Sequence, residues 1–520
     1  MVKVLQSSTA MAGATLLSRV LGLVRMMGFA WLLGGGWEAG AFVYAFMVPN
    51  LFRRLLGEGA LTAAFVPTLK RLESEGSSKQ MWEGVNAVLA ALVMACVGLI
   101  VLVLGGLTLA LYFGSWSFEW FIKFYLLRIM FPYMVLVCVA ALFMAILNAR
   151  GRFFIPAMGA TMLNLVMIPA IFLVAPMVAE DAIGYLHVLA WAVLVAGFLQ
   201  CAFQLPWLFK AGFCPRFVWP FGNPVVKDVV QKMIPGMIGV AAFQINVLLT
   251  QTIASYQGLE IVAAYDYAVR LMEMPQGVFT ISMATVLLSS LSGFASKKDY
   301  RAFRTQLSEG ILQLLFINVL ASVLLVVLAE PMVQLFFQRG EFSEEDTSRA
   351  AQALQFLAPS LIGYSVVNLL ARAFFSLDDT RTPMRIATFC LAINLFLALW
   401  LVPMMKHMGL GLANTVSSTL NAGLLFYAIK RKMPQFDLVS LTLPIVRYLL
   451  VGLLVGGLVW KLHQVCLTGL SPQTWMLRML VLFVPMTGGG LAYFGLGLVF
   501  KDASALAYVE MIRGRFVRNA

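Results

Sequence analysis

Three arginines stand in apolar surroundings near the start of the chain: Arg19 and Arg25 in "LLSRVLGLVRMMGFAWLLGG" and Arg53 in "FMVPNLFRRLLGEGALTAAFVP". A fourth, Arg270, lies in "YDYAVRLMEMPQG" with Asp266 four residues before it and Glu273 three after. A charge at the centre of a bilayer costs about 2.5–3.5 kcal/mol on insertion scales, so such residues face a protein interior or a wet cavity and mark a site. Arg19, Arg25 and Arg53 have no acid within one helical turn of sequence. Six positions apart, Arg19 and Arg25 point about 120° from each other on a helix, so one lipid-facing stripe does not explain both. Guanidinium forks match phosphate oxygens bidentately, and such bonds strengthen away from water. The chemistry these residues suit is holding an anion, and a phosphorylated one above all.

The acids nearby are the expected charge partners. Arg54 and Glu58, four apart, can neutralise each other. Asp266, Arg270 and Glu273 share one helix face and form either a closed local network or a latch that an anion competes open. Bends are written into the same stretch: Pro49, Gly57 and Gly59 lie beside Arg53 and form a candidate hinge. Arg128, Arg447 and Arg478 are close enough to span ends to reach water by snorkelling.

The elements that must hold these residues are membrane spans. Of 520 residues 61% are hydrophobic and only 12% charged, about half the charged share of a soluble domain. With about 20 apolar residues per span, fourteen spans read at 7–34, 37–68, 83–113, 124–148, 156–179, 184–210, 233–257, 262–293, 308–329, 351–375, 383–405, 408–430, 441–463 and 475–500. The fold class is an all-α polytopic membrane protein. The start, "MVKVLQSSTAMAGATLL", lacks a cleavage pattern, so the first span is expected to stay. Six cysteines without paired spacing and three scattered histidines suggest neither disulfides nor a metal site, and no cofactor is expected. Lysine and arginine crowd the loops after even-numbered spans, whereas Lys123 is among the few after odd ones. By the positive-inside rule both termini are cytoplasmic, and the net charge of +13 is a topology signal, not a nucleic-acid footprint.

The chain also repeats. "YAFMVP" at Tyr44 resembles "YAVRLMEMP" at Tyr267, and "PAMGAT" at Pro156 resembles "PMRIAT" at Pro383, at offsets of 223 and 227 residues. Duplication of a six-span unit gives lobes at 1–225 and 226–440, with two further helices and a tail at 441–520. Transporters are often built from such repeats, with the substrate between halves. Outside the membrane, Ser343 in "EFSEEDTSRAAQALQF" is placed to cap a helix whose first turn holds Glu344, Glu345 and Asp346.

"SRVLGLVR", "FMVPNLFRRLLGEGALTAAFVPTL", "YAVRLMEMPQGVF", "FFQRGEF" and "FFSLDDTRTP" together resemble the MurJ (MviN) family of bacterial lipid II flippases, within the superfamily of multidrug, oligosaccharidyl-lipid and polysaccharide exporters. The resemblance implies a carrier, not an enzyme, in the bacterial inner membrane. It would move lipid II, the undecaprenyl-pyrophosphate-linked disaccharide pentapeptide, from the cytoplasmic to the periplasmic leaflet by alternating access. It further implies that Arg19, Arg25, Arg53 and Arg270 line the cavity, that Glu58 and Glu273 accompany them, and that the terminal helix pair forms a groove for the lipid tail. Membrane lipids and the cell-wall synthesis machinery would be its company. The chain departs from the family where many members carry acids: Met26 follows the second arginine, Gly40 stands early in the second span, and Val269 precedes Arg270. The rival readings are a flippase for another undecaprenyl-linked oligosaccharide, of O-antigen type, and a drug/cation antiporter.

Overall fold

The computed structural model describes residues 2–57, 60–75, 78–152, 154–470 and 474–518. Helices make up nearly all of it, and no strand occurs among the described residues. Backbone in hydrocarbon must satisfy its own hydrogen bonds, which leaves the helix as the element an open chain can use there. Among the described residues eight helices are long and apolar enough to cross a membrane. They become nine if Glu344–Leu357 and Ser360–Ser376, bent by 44° at their junction, form one span. The segments carrying Arg19, Arg25, Arg53 and Arg270 fall outside that set.

One of those helices is folded back on itself. Arg381–Lys432 runs for 52 residues, and a straight helix of that length would span roughly 78 Å, more than twice the hydrocarbon thickness. Lys406 breaks it, with φ 50° and ψ −125°. Ser417 Oγ then donates to the Cys390 carbonyl at 2.7 Å, across 27 residues that a straight helix would hold about 40 Å apart. The element is a hairpin.

The chain divides into two compact units. The first comprises Met1–Gln251 together with Gly258–Ala263 and Arg339–Phe342; the second comprises Thr252–Gln257, Ala264–Gln338 and Ser343–Ala520. In the first, Tyr133 is the central wedge at 1% exposure. Its ring packs 5.8 Å from that of Phe46 and against Gly197, where a Cβ would come within 2.7 Å of the ring. In the second, Phe316 gathers the rings of Tyr448, Tyr493, Phe494 and Tyr508 at 4.7–6.3 Å. Lys123, expected in an exterior loop, lies inside the helix Phe118–Met130 and is buried. Its ammonium sits 3.0 Å from the Trp120 ring centroid and 4.5 Å from that of Tyr44, where ring quadrupoles replace part of its hydration.

Among the described residues three wide π-helical turns interrupt the helices, at Arg53–Gly57, Ala170–Val174 and Gln276–Ile281. Proline precedes each: Pro49 by one turn, Pro169 and Pro275 immediately. Proline removes one N–H from the ladder and its ring crowds the preceding turn, and a π turn absorbs the misfit. The first and third follow the Tyr44 and Tyr267 motifs. Ser343 caps Glu344–Leu357 as its sequence suggests: Asp346 N donates to Ser343 Oγ at 3.1 Å, and Ser343 N donates back to Asp346 Oδ2 at 3.0 Å.

Candidate functional site: arginines within apolar helices

The helix Val2–Leu33 carries Arg19 and Arg25. Asn164 Nδ2 donates to the Ser18 carbonyl at 3.1 Å, and Trp31 stacks on Phe172 with centroids 5.6 Å apart. These contacts hold the helix along Phe154–Pro169 and the π turn that follows. Arg19 is exposed and has no ion pair among the described residues, whereas Arg25 is partly buried. Arg53 opens the first π turn, partly buried, its Nε donating to Asn50 Oδ1 at 2.8 Å. That turn is seated by Phe52 against Phe131, edge to face at 6.0 Å.

Tyr133 links two of these arginines. Its hydroxyl donates to Gln200 Oε1 at 3.4 Å, and the charges of Arg53 and Arg25 both reach it. The fold therefore brings Arg25 and Arg53 into one neighbourhood although 28 residues separate them. Of the candidate hinge, Pro49 is buried at the end of the helix Trp37–Phe52 and Gly57 closes the π turn. Glu58 and Gly59 lie outside the described residues, and with them the expected Arg54–Glu58 pair.

In the second unit Arg270 takes both of its acids. Nη1 donates to Glu273 Oε2 at 3.1 Å and Nη2 to Asp266 Oδ1 at 3.3 Å, while Nε is buried without a hydrogen-bond acceptor among the described residues. The Arg270 side chain is 34% exposed and that of Glu273 45%. The Glu273 pair, this accessible, is worth about 0–1 kcal/mol, whereas Asp266, only 18% exposed, is the stronger partner. A phosphate bearing two charges can displace Glu273 at little cost, so the arrangement can work as a latch. Arg447, expected to snorkel, is instead paired with Asp502. Asp502 is buried, accepts from Tyr448 Oη at 3.0 Å and Ser504 N at 2.9 Å, and caps the helix Ala503–Arg518. The Asp-x-Ser opening of that helix was the legible signal for it. Arg478 Nη1 reaches the Gln338 carbonyl at 3.4 Å. Asn50, and a polar group formed by Tyr265, Tyr364 and Asn414, were not marked by sequence pattern.

Residues 29–482 match the family described as "Lipid II flippase MurJ". The chain is 32% identical to the "Probable lipid II flippase MurJ" of Bdellovibrio bacteriovorus, covering 96% of this chain and 95% of that one. It is also 32% identical to the "Lipid II flippase MurJ" of Burkholderia cenocepacia, covering 81% and 83%. Among solved structures it superposes on "Lipid II flippase MurJ, inward closed conformation" with a TM-score of 0.75 at 22% identity, over 93% of this chain and 98% of that chain. An inward-facing MATE-family multidrug transporter of the MOP superfamily superposes at 0.66 and 16% identity, over 82% and 98%. The multidrug transporter shares the fold; the sequence matches over most of the chain go further, and the chain belongs to the lipid II flippase MurJ family.

Proposed function

We propose that this chain carries lipid II across the bacterial inner membrane, with Arg19, Arg25, Arg53 and Arg270 taking its pyrophosphate. What supports the assignment of residues is the convergence of Arg25 and Arg53 around Tyr133 within apolar helices. A pyrophosphate carries too much charge to enter hydrocarbon alone, and preset guanidinium groups replace its water with bidentate bonds. Arg270 joins as the anion competes with Asp266 and Glu273, and those carboxylates reclaim it when the anion leaves. Exchange with the weaker of these partners keeps the site from holding its cargo too tightly for release. No bond is made or broken in the cargo: the protein is a carrier and not an enzyme.

The chain in this reading has fourteen spans with both ends in the cytoplasm, in lobes of residues 1–225 and 226–440. The pair in 441–520 lies alongside the undecaprenyl tail. Pro49, Gly57 and Gly59 give the Arg53 segment room to bend as the cavity changes the side it faces. Cell-wall polymerases would consume the product.

The test is lipid II exposure at the outer leaflet of cells depleted of this protein, read with an enzyme or toxin that cleaves only outward-facing lipid II. Exposure collapses on depletion and returns with wild type. Arg25→Ala inserts but does not restore it, and Arg25→Lys restores it in part, since an ammonium lacks the planar fork. Full restoration by alanine at Arg19, Arg25 and Arg270 in turn removes the pyrophosphate role.

A further inference from the structure

Three polar side chains from three helices of the second unit form a directed chain. Tyr265 comes from Leu259–Pro275, Tyr364 from Ser360–Ser376, and Asn414 from the second arm of the hairpin Arg381–Lys432. Asn414 Nδ2 lies 3.0 Å from the Leu410 carbonyl. A carbonyl only accepts, so the amide nitrogen must point there, and this fixes which way the Asn414 side chain faces. Every other bond then follows. Tyr364 Oη donates to Asn414 Oδ1 at 2.8 Å, because that oxygen has no proton to give. Asn414 Nδ2 donates to Tyr265 Oη at 2.8 Å, so the Tyr265 oxygen is the acceptor. The Tyr265 hydroxyl hydrogen is left with no acceptor among the described residues.

Buried or membrane-embedded donors without partners are rare, and each requires an explanation. Tyr265 is partly exposed, as are Asp266, Arg270 and Glu273 on its own helix. By helix geometry Tyr265 stands about 80° from Glu273 and about 140° from Arg270, so its partly exposed side chain flanks the acids of the latch and does not share the Arg270 face. The kind of acceptor it suits follows from its surroundings. The Asp266 and Glu273 carboxylates both act on Tyr265, and their negative field repels a second anion. A neutral acceptor, such as an amide carbonyl or a sugar hydroxyl, carries no such penalty.

We propose that Tyr265 is a cargo-binding residue that donates to a neutral carbonyl or hydroxyl of the sugar–peptide headgroup, with Asn414 and Tyr364 as its positioning residues. This rests on the lipid II reading above and adds to it a point of headgroup selectivity separate from the phosphate-binding arginines.

The experiment measures binding of two lipids to the purified full-length protein in detergent by native mass spectrometry: lipid II, and undecaprenyl pyrophosphate, which lacks the sugar and peptide. Tyr265→Phe deletes one hydroxyl and leaves the ring. It lowers lipid II affinity about three- to tenfold, the range of one neutral hydrogen bond, and leaves undecaprenyl pyrophosphate binding unchanged. Asn414→Ala produces the same selective loss, and combining the two adds little, because both act through one hydrogen. Unchanged lipid II binding by Tyr265→Phe overturns the proposal. So does an equal loss for both lipids, which marks a purely structural role. If wild type binds undecaprenyl pyrophosphate but gains nothing from the headgroup, this proposal falls and the arginine site stands. If it binds neither lipid, the lipid II reading falls and takes this one with it.

Discussion

Gly40 is one of three places where the chain leaves the pattern its resemblance leads one to expect, and the packing there gives a reason. A Cβ built on Gly40 would lie 1.8 Å from the Leu259 carbonyl oxygen and 2.4 Å from its carbonyl carbon. Leu259 opens the helix Leu259–Pro275 and is itself 1% exposed. For Gly40→Ala to reach even a 3.0 Å contact, the two backbones must part by about 1.2 Å, and no side-chain rotamer can absorb the change. Overpacking costs about 1–3 kcal/mol where neighbours can adjust. With a backbone carbonyl as the obstacle the upper figure applies, and about 3 kcal/mol reduces the population of this packing by roughly 150-fold. Gly40→Asp, the acid expected from the resemblance, fares worse. The assay is thiol labelling of Leu259→Cys, in a Cys214→Ser background, in detergent-purified protein. With Gly40 the new thiol is sealed and labels slowly; with Gly40→Ala it labels at least tenfold faster, and lipid II exposure in cells falls. If Gly40→Ala leaves both labelling and exposure as in wild type, the close approach is not what glycine serves there.

Two further substitutions test the backbone and the charges outside the apolar core. Lys406 holds φ 50° and ψ −125° at the hairpin tip, a conformation costing a residue with a Cβ about 1–3 kcal/mol; Lys406→Gly therefore raises thermal stability by about 1 kcal/mol after the glycine's extra unfolded-state entropy, and an unchanged or lower unfolding midpoint refutes this. Asp379 accepts from Lys432 Nζ at 2.7 Å and from Thr382 N at 3.0 Å. The Lys432 bond, foremost, and the Thr382 bonds hold its carboxyl down at about 2. A depressed carboxyl stabilises the fold above its unfolded value near 4 and loses that contribution as pH falls toward 2. Asp379→Asn is accordingly less stable than wild type at pH 7 by about 1 kcal/mol. The gap in unfolding midpoints closes between about pH 4 and pH 2; a gap independent of pH contradicts the charge argument.

What sequence could and could not disclose divides along the range of the interactions. Arg19, Arg25, Arg53 and Arg270 were legible because a charge inside an apolar run is anomalous whatever it touches, and the cap at Ser343 because a capping box lies within four residues. The π turns were half legible: Pro49, Pro169 and Pro275 announce a disturbed ladder, but whether it relaxes as a kink or a widened turn depends on what packs behind it, as Phe131 does behind Phe52. The break at Lys406 was legible as the gap between the spans read at 383–405 and 408–430, where Lys406 and His407 interrupt the apolar run between Pro403 and Gly409; its backbone conformation was not. Tyr133 and Asn414 stayed hidden for a different reason. Each is an ordinary helix residue by pattern, and becomes informative only when the fold sets Arg25 and Arg53 around one phenol and fixes one amide by the carbonyl of Leu410. A lone charge in an apolar span advertises itself, while a neutral hydrogen-bonding group pays too little at any one position to stand out. Headgroup selectivity built from such neutral groups is therefore the part of a glycolipid carrier that sequence reading recovers last, and the Tyr265 hydroxyl is where this chain tests that rule.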